Sequence, residues 1–396
     1  MKIVTGEFND SFTPILDGVA NVVKNYAYWL NKKYGKSYVI TPNFPNYRDN
    51  EQFQVLRYFS IPLPTRNPYR YGIPGLDKAF LKQLYQIPFD IVHAHSPFTA
   101  GNIALNIARN QNIPIIASFH SKFYDDFKAV LKNEFLTKMI LNRIIHFFNS
   151  VDYVWTVNES TKKTLYSYGY QGSVEVVHNG TDFTIPVNLE QDLLMINKLF
   201  NITADELVFL FVGQHILQKN VFMLIKSLKI LKDKNIKFKM IFVGTGNAKD
   251  TMQTLVKNYK LKYDVYFTGL IYKKNLLKAL FSRANLFLFP SIYDNAPLVV
   301  IEAAAMGCPS LLIKNSNAAE GIIDNYNGFL SFDNAELYSR RIIELIENKE
   351  KLKTVGATAK KTICKSWENI VDEVYKKYLE IIKKHKKGKN TKIILF

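Results

Sequence analysis

Residues 289–312, FPSIYDNAPLVVIEAAAMGCPSLL, combine an apolar strand, a polar turn and an apolar helix with two carboxylates. Asp294 lies in the turn, and Glu302 follows eight positions later. Eight residues span about 2.2 turns of an α-helix, which predicts that both carboxylates project near one face. Asp294 could accept hydrogen bonds from sugar hydroxyls, and Glu302 could accept two from the adjacent hydroxyls of a ribose. Free N–H groups at the helix N-terminus could bind an anion.

Both acids have a structural alternative. Asp294 taken alone is more typical of a helix cap, and Glu302 could belong to a buried ion pair. An unpaired carboxylate in the apolar surroundings of Glu302 is costly, which favours a binding role for this residue.

The segment LFLFVGQHILQKNVFMLIKSL supplies the opposite charge. Gly213 ends a predicted strand, and Gln214 and Lys219 lie in the loop before the next helix. A lysine in such a loop can neutralise a diphosphate without a metal ion. A single loop lysine is usually only solvated, but the acid pair at 289–312 favours the binding role here. His215, if protonated, could add to the positive charge.

Two residues in the first half of the chain are further candidates. His120 ends the predicted strand PIIASFH, and strand-end residues face the ligand in open α/β sheets. A lone histidine is more often structural. Gly18, in PILDGVANVV, lies where the backbone comes close to a ligand or where the chain simply turns. The segment IFVGTGNAKD is weak evidence for NAD, because it lacks the third glycine and the acidic residue of a dinucleotide fingerprint.

Short apolar strands that alternate with helices must position these residues. Such strands predict parallel sheets covered on both faces. The pattern occurs twice, which predicts an α/β protein with two doubly wound, Rossmann-like domains facing each other across a cleft that holds the ligand. We place an N-terminal Rossmann-like domain at 1–185, a C-terminal Rossmann-like domain at 186–365, and a crossover helix with a Lys-rich tail at 366–396. The segment near 184–206 is predicted to be irregular.

These motifs resemble the GT-B-fold retaining glycosyltransferases of family 4. The resemblance covers nearly the whole chain and rests on DGVANVV, the strand end at His120, VVHNGTDF, VGQHILQKN, FVGTGN, FTGLI and the 289–312 segment. The last of these matches the paired-acid motif of the family most specifically. The resemblance implies a metal-independent enzyme without a cofactor that uses a nucleotide-sugar donor, and a UDP-hexose is the expected donor.

The resemblance also implies roles for single residues. Glu302 would bind the donor ribose, and Lys219 would bind the diphosphate. Asp294 would hold the transferred sugar, and His120 would lie beside it near the reacting centre. The catalytic set is therefore His120, Asp294 and Lys219, and no metal ligands are expected. The expected donor-binding residues are Gly18, Gln214, Asn295, Ala296, Pro297, Leu298 and Glu302.

The chain departs from the family pattern at three points. The first acid is Asp294 instead of Glu, and the sequence NAP replaces Phe-Gly after it. Gln214 stands in place of an Arg that joins the lysine on the phosphates. The first two departures bear on the identity of the sugar, and the third bears on the strength of phosphate binding.

The net charge is +18, from 52 Lys and Arg against 34 Asp and Glu. Residues 376–396 hold eight lysines and one glutamate. This charge indicates an anionic partner, either a nucleotide or anionic lipid headgroups, unless it reflects only a solvated lysine-rich surface. No nucleic-acid-binding signature is present, so nucleic acid is not expected as a partner. The stretch 127–148 mixes apolar residues with Lys128, Lys132, Lys138 and Arg143, which is typical of an interfacial helix or of a packed helix with a basic face.

The chain has no apolar run of roughly 20 residues and no signal-peptide pattern at its start. Its two cysteines, Cys308 and Cys364, cannot form a disulfide framework. We therefore expect a cytoplasmic protein that is peripheral on the inner face of the cell membrane.

The function these features favour is transfer of a hexose from a nucleoside-diphosphate sugar to a hydroxyl acceptor, a lipid or a cell-envelope glycan. Two alternatives remain open. The chain could be a catalytically silent subunit that supports an active partner, as the loss of an Arg at position 214 suggests. It could also modify a sugar nucleotide without an acceptor, as an epimerase does.

Overall fold

The computed structural model describes residues 1–15 and 17–393. The chain divides into two compact units. Unit 1 comprises residues 1–179 and the segment from Trp367 onward, and unit 2 comprises residues 180–366. The chain therefore leaves unit 1, completes unit 2, and then returns to unit 1.

Unit 1 is built on short strands joined by helices. Its strands are β1 (Ile3–Phe8), β2 (Gly35–Pro42), β3 (Gln54–Tyr58), β4 (Ser60–Pro62), β5 (Arg70–Gly72), β6 (Ile91–Ala94), β7 (Ile115–Phe119), β8 (Tyr153–Thr156) and β9 (Val174–Val176). Its first six helices are α1 (Gly18–Lys33), α2 (Lys78–Tyr85), α3 (Thr99–Gln111), α4 (Phe123–Leu131), α5 (Glu134–Asn149) and α6 (Glu159–Ser167). Seven strands form one parallel sheet in the order β3-β2-β1-β6-β7-β8-β9, and β4 and β5 form a separate antiparallel pair.

Unit 2 repeats this plan. Its strands are β10 (Val208–Val212), β11 (Lys239–Val243), β12 (Val265–Gly269), β13 (Leu286–Phe289), β14 (Ser310–Ile313) and β15 (Phe329–Ser331). Its helices are α7 (Leu189–Leu199), α8 (Val221–Asp233), α9 (Lys249–Asn258), α10 (Lys274–Arg283), α11 (Leu298–Ala305), α12 (Ala335–Ile346) and α13 (Lys349–Thr362). The six strands form a second parallel sheet in the order β12-β11-β10-β13-β14-β15. Two doubly wound parallel sheets confirm the predicted α/β architecture.

The central strands are buried along their whole length, as their uninterrupted apolar sequences predict. All residues of β7, β10, β13 and β14 are buried. In unit 2 a row of phenylalanines fills the core, where the ring of Phe289 lies 6.0 Å from Phe211 and 5.6 Å from Phe287. Burial of each such side chain contributes about 1.5–3 kcal/mol. This packing fixes the strand ends from which the candidate residues extend.

Two predicted segments differ from the structure. The segment near 184–206, predicted to be irregular, contains α7, which buries Ile196 against the core of unit 2. The stretch 127–148, predicted as one helix, is divided between α4 and α5. The division occurs because Lys132 adopts a left-handed conformation with φ 51°, and the side chain of Asn133 then caps α5 by accepting from Leu136 N at 3.1 Å.

The chain ends its described part in helix α14 (Trp367–Ile393), which is longer than the predicted 366–384 helix. Side chains of α14 are described as far as Lys387, so the lysines at 389 and 392 of the predicted tail lie outside the described side chains. Among the described residues, no helix combines the length and apolar character that a membrane span requires.

Candidate functional site

Lys219 and Asp294 follow the two strands at which the order of the unit 2 sheet reverses. Strands β10 and β13 are neighbours in this sheet, although β11 and β12 lie between them in the sequence. Ligands of open α/β sheets bind at the carboxyl ends of strands at such a reversal. The sequence therefore places both residues where this fold binds ligands.

The two side chains form an ion pair, in which Lys219 Nζ donates to Asp294 Oδ1. The Lys219 side chain is 12% exposed and that of Asp294 is 17% exposed. The ammonium group also lies 5.6 Å from the centre of the Phe289 ring and 6.0 Å from that of Tyr293. Aromatic faces and a carboxylate together hold the cation at the sheet edge.

The second carboxylate oxygen of Asp294 is buried and has no hydrogen-bond partner among the described residues. Asp294 is not the helix cap that its sequence context allowed, because Pro297 occupies the cap position of α11 and no side chain caps this helix. The turn is instead held by Ser291 Oγ, which accepts from Asp294 N at 3.4 Å. A buried carboxylate oxygen without a donor is costly, and a ligand hydroxyl could satisfy it.

The turn and the start of α11 contain the four predicted backbone positions. Asn295 is buried, and its Oδ1 accepts from Asn317 Nδ2 at 3.0 Å. Ala296 and Pro297 complete the turn, and Leu298 is the first residue of α11. Because α11 begins four residues after Asp294, only Glu302 of the two acids lies on this helix, and the helical spacing used in the prediction does not apply to Asp294.

Glu302 lies on α11 and is partly exposed. Its carboxylate has no hydrogen-bond or ion-pair partner among the residues the structure describes, so the buried ion pair that the sequence left open is absent there. Burial raises the pKa of Glu302 to about 7, an effect that the nearby Asp182 carboxylate increases and Lys274 opposes. Asp182 and Lys274 themselves form an ion pair. The HNGTDF motif thereby brings a charged pair close to the Glu302 carboxylate.

Gln214, the residue in place of the expected Arg, is exposed in the loop after β10. This loop is held by a close approach of FVGTGN. A Cβ on Gly244, which has φ 130°, would lie 2.0 Å from the carbonyl oxygen of Gly213, and one on Gly246 would lie 2.3 Å from that of His215. The glycines of FVGTGN are thus explained by backbone packing.

His215 does not carry the positive charge considered from the sequence. Its side chain is fully buried among the rings of Phe211, Phe242 and Phe267, at 5.9–6.2 Å between ring centres. Burial lowers the pKa of His215 to about 4, and Lys249 lowers it further. The imidazole is therefore neutral at pH 7.

In unit 1, Gly18 is the exposed first residue of α1, after Asp17, which caps the helix by accepting from Ala20 N at 2.7 Å. A Cβ on Gly18 would meet no described atom within 4 Å. No described neighbour requires a glycine at this position, and the predicted close approach to a ligand stays a prediction.

His120 follows β7, as predicted, but it is not a lone histidine. Its Nε2 lies 3.3 Å from His95 Nδ1, and His95 Nε2 lies 2.9 Å from Glu7 Oε2. Glu7 and His95 are buried, whereas His120 is partly exposed. Burial lowers the pKa of both histidines to about 3 and raises that of Glu7 to about 8. At pH 7 both imidazoles are neutral.

The sequence reasoning missed Glu7, His95, Asp182 and Lys274. A signal for the first two was present: FDIVHAHS has histidines two residues apart in a strand, which places them on one face. Glu7 was a signal as well, because it is an ionisable residue inside the first strand. Asp182 lies within the quoted VVHNGTDF motif, but nothing in the sequence shows that it pairs with Lys274.

Comparison with known proteins is consistent with this arrangement. Residues 196–362 match the family model described as "Glycosyl transferases group 1", and residues 16–184 match that of "Glycosyltransferase Family 4". A structure of Anabaena HepE in complex with UDP and glucose matches with a TM-score of 0.75 and 16% identity, over 95% of this chain and 99% of that one. The two sheets and these matches define a glycosyltransferase of the GT-B fold.

Two curated relatives match along almost the whole chain. Alpha-monoglucosyldiacylglycerol synthase of Streptococcus pneumoniae is 23% identical over 95% of this chain and 86% of its own length. The synthase of the same name from Acholeplasma laidlawii is 24% identical over 98% and 99%. The chain belongs to the group 1 glycosyltransferases.

Proposed function

We propose that this glycosyltransferase moves a hexose, with retention of configuration, from a nucleoside-diphosphate sugar to a hydroxyl of a lipid or cell-envelope glycan. A UDP-hexose is the favoured donor. The observation that carries the proposal is the buried oxygen of Asp294 without a donor, next to Lys219. One group can accept a hydrogen bond from a sugar hydroxyl, and the other can neutralise a diphosphate, so the pair fits both ends of such a donor.

The proposed roles follow from charge and position. Lys219 stabilises the charge that develops on the departing diphosphate. Asp294 orients the sugar, and Glu302 accepts from the ribose hydroxyls. The acceptor oxygen bonds to the anomeric carbon on the face from which the diphosphate leaves, and the acceptor proton departs with the diphosphate. His120 acts in this step, and the donor site needs neither a metal ion nor a cofactor.

The test is turnover of purified protein with a panel of UDP- and GDP-sugars and hydroxyl acceptors, read as released nucleotide. We expect turnover with a UDP-hexose, unchanged by a metal chelator, and a product whose anomeric configuration equals that of the donor by NMR. An inverted product would refute retention. Failure of every donor and acceptor, with the protein folded, would refute the enzyme assignment.

A lipid acceptor is favoured by the names of the two curated relatives, which both refer to a glucosylated diacylglycerol. A surface of unit 1 supports it. Val130, Phe135, Leu136 and Met139 on α4 and α5 are 44–70% exposed. We call these four residues the α4–α5 patch. Lys128, Lys132, Lys138 and Arg143 lie on the same two helices and their connection, and basic residues near exposed apolar ones suit anionic lipid headgroups.

Vesicle flotation tests this surface. We expect Phe135→Ser combined with Met139→Ser to reduce binding to vesicles that contain anionic lipid. Phe332→Ser, which removes a 58% exposed ring in unit 2, is the matched control and should bind as the parent does. A chain truncated after Lys384 tests the tail separately. Equal binding by all variants would remove the membrane from the proposal.

A second candidate is a silent glycosyltransferase-like subunit that supports an active partner. The exposed amide of Gln214, in place of a cationic Arg, favours this function, because it leaves one fewer charge for a diphosphate. Calorimetry with UDP distinguishes the two: the silent subunit would bind no nucleotide sugar and show no turnover, while retaining its partner.

A further inference from the structure

A chain of hydrogen-bonded side chains runs from the core of unit 1 to His120. Tyr378 OH, on α14, donates to Glu7 Oε1 at 3.3 Å. Glu7 Oε2 lies 2.9 Å from His95 Nε2, and His95 Nδ1 lies 3.3 Å from His120 Nε2. Glu7 is 0% exposed and His95 is 2% exposed. Water therefore does not reach the inner part of the chain.

The direction of these hydrogen bonds is determined by one proton. A neutral imidazole carries one N–H and one lone pair on its two ring nitrogens. When one nitrogen must accept a hydrogen bond, the other nitrogen must therefore be the donor. If Glu7 is a carboxylate, His95 must donate from Nε2 and accept at Nδ1, and His120 then carries its hydrogen on Nε2. If Glu7 is protonated, it donates to His95 Nε2. His95 then donates from Nδ1, and His120 carries its hydrogen on Nδ1.

We propose that Glu7 and His95 are positioning residues that set which ring nitrogen of His120 carries hydrogen. The inference rests on the proposed function for its consequence, because His120 is assigned there to the transfer step. His120 Nδ1 then carries a hydrogen in one state and a lone pair in the other. Neither Glu7 nor His95 touches the substrate; both act through His120.

The groups around Glu7 determine the pH at which the hydrogen bonds between Glu7 and His120 reverse direction, and they place it above pH 7. Burial raises the pKa of Glu7 to about 8, and hydrogen bonds from Tyr378 and Thr5 partly oppose this. From β6, His93 Nδ1 lies 3.7 Å from Glu7 Oε2. From α1, the ring of Tyr26 lies 5.5 Å from that of His95, and Glu373 of α14 acts on Tyr26. The phenols of Tyr26 and Tyr378 are neutral in this range because burial raises their pKa values.

His93 is stacked on His95 with 4.0 Å between ring centres, but it is not a member of the hydrogen-bonded series from Glu7 to His120. Its Nδ1 bonds Tyr378 OH at 2.7 Å and its Nε2 bonds Ser118 Oγ at 2.7 Å. Glu7, His93 and His95 offer ligand atoms within 4.8 Å of one another, close enough for a metal ion. Both nitrogens of each ring already bond protein groups, so an ion would have to break these bonds, and the hydrogen-bonded interpretation is favoured.

The test is an NMR titration of the full-length protein labelled with 15N-histidine, from pH 6 to 9.5, with long-range 1H–15N spectra that report the tautomer of each ring. His120→Gln assigns the His120 signals. We expect His120 and His95 to change together from Nδ1–H to Nε2–H with a midpoint near pH 8, while His93 keeps Nδ1–H. A single tautomer of His120 throughout, or separate midpoints for the two rings, would overturn the inference.

Two variants sharpen the test. Glu7→Gln cannot ionise, and its amide N–H₂ can donate to His95 while its oxygen accepts from Tyr378. We expect it to fix His120 as the Nδ1–H tautomer at every pH. Ser118→Ala, which removes only the partner of His93, should retain the change near pH 8. If Glu7→Gln does not fold, the titration of the parent still shows whether His95 and His120 change tautomer together.

Kinetics then connect the tautomer to the reaction. We expect the parent kcat to change about tenfold across pH 8, the worth of one hydrogen bond, with KM for the donor unchanged. The Glu7→Gln kcat should stay level. A tautomer change without turnover on any donor would refute the proposed function and leave the positioning role intact. Turnover without a tautomer change would refute the positioning role alone.

Discussion

The two units place polar groups at the reversal point of the same kind of sheet, but with opposite electrostatics. In unit 2, Lys219, Asp294 and Glu302 are charged or ionisable and keep some contact with solvent. In unit 1, Glu7 and His95 are buried, and all members of the chain to His120 are neutral at pH 7. Charged side chains at a solvated sheet edge can bind an ionic ligand. A buried series of neutral, hydrogen-bonded side chains can only orient a ligand. The comparison therefore supports the proposal that unit 2 binds the charge of the ligand and that unit 1 sets the direction of hydrogen bonds at His120.

The largest expected effect tests the charged side of this comparison. Lys219→Ala should lower turnover about 10²–10³-fold, because it removes a cation that stabilises charge developing on the diphosphate. Initial rates of nucleotide release measure it. Lys226→Ala, which removes an exposed lysine from α8, is the matched control and should keep the parental rate. Parental turnover in Lys219→Ala would break the assignment of ligand charge to unit 2.

The second prediction concerns stability of unit 1. The pKa of Glu7 is raised to about 8 in the folded chain, from an ordinary value of 4.5, so the folded state holds a proton that unfolding releases. Stability is therefore lost as pH rises through the folded pKa, by about 1 kcal/mol between pH 7 and 9. In this window the histidines are mostly neutral in both states.

Urea unfolding followed by tryptophan fluorescence measures this loss, because Trp29, Trp155 and Trp367 all lie in unit 1. Glu7→Gln should flatten the dependence, and Glu302→Gln in unit 2 should leave it as in the parent. A parent whose fluorescence-detected stability does not change from pH 7 to 9 would contradict the buried proton.

The third prediction uses the pKa of about 7 at Glu302. As pH rises from 6 to 8, this side chain becomes a carboxylate and a stronger acceptor for ribose hydroxyls. We expect a UDP-hexose to bind more tightly at pH 8 than at pH 6. Glu302→Gln should bind about tenfold more weakly at pH 8 and show no pH dependence in calorimetry. Equal affinities of parent and variant at pH 8 would mean that the carboxylate does not contact the donor.

The smallest effect is expected at Gln214. Its replacement by Arg adds a guanidinium suited to phosphate oxygens in an exposed loop, where such a charge is worth about 0.2–1 kcal/mol. UDP should bind about threefold more tightly, and the gain should shrink as salt is raised. A gain independent of salt would indicate that the new side chain changes the loop and does not contact the phosphate.

The fold followed from local patterns more directly than the site did. The apolar strands of both sheets and the loop positions of Lys219 and Asp294 depend on short-range sequence, and they were predicted. The Lys219–Asp294 ion pair joins residues 75 positions apart, so its geometry depends on the packing of β10 beside β13. The helical spacing of the two acids was misjudged because Pro297 takes the cap position, so that α11 begins only at Leu298 and Asp294 lies outside it. The link between Glu7 and His120 passes through three strands, and no local pattern reports such a contact.

The position of α14 has a consequence for how the protein is made. Tyr378 and Glu7 are 371 positions apart, and the whole of unit 2 is translated between them. While the ribosome is adding residues 180–366, β1 already exists, but the phenol that bonds Glu7 has not yet been synthesised. Unit 2 is continuous in sequence, so all of its residues are present once residue 366 has been synthesised. The first 179 residues lack α14 until then, and their core is incomplete, a state in which chaperones bind exposed apolar surface. This enzyme is therefore expected to complete its folding from the middle of its sequence outward, with α14 arriving last.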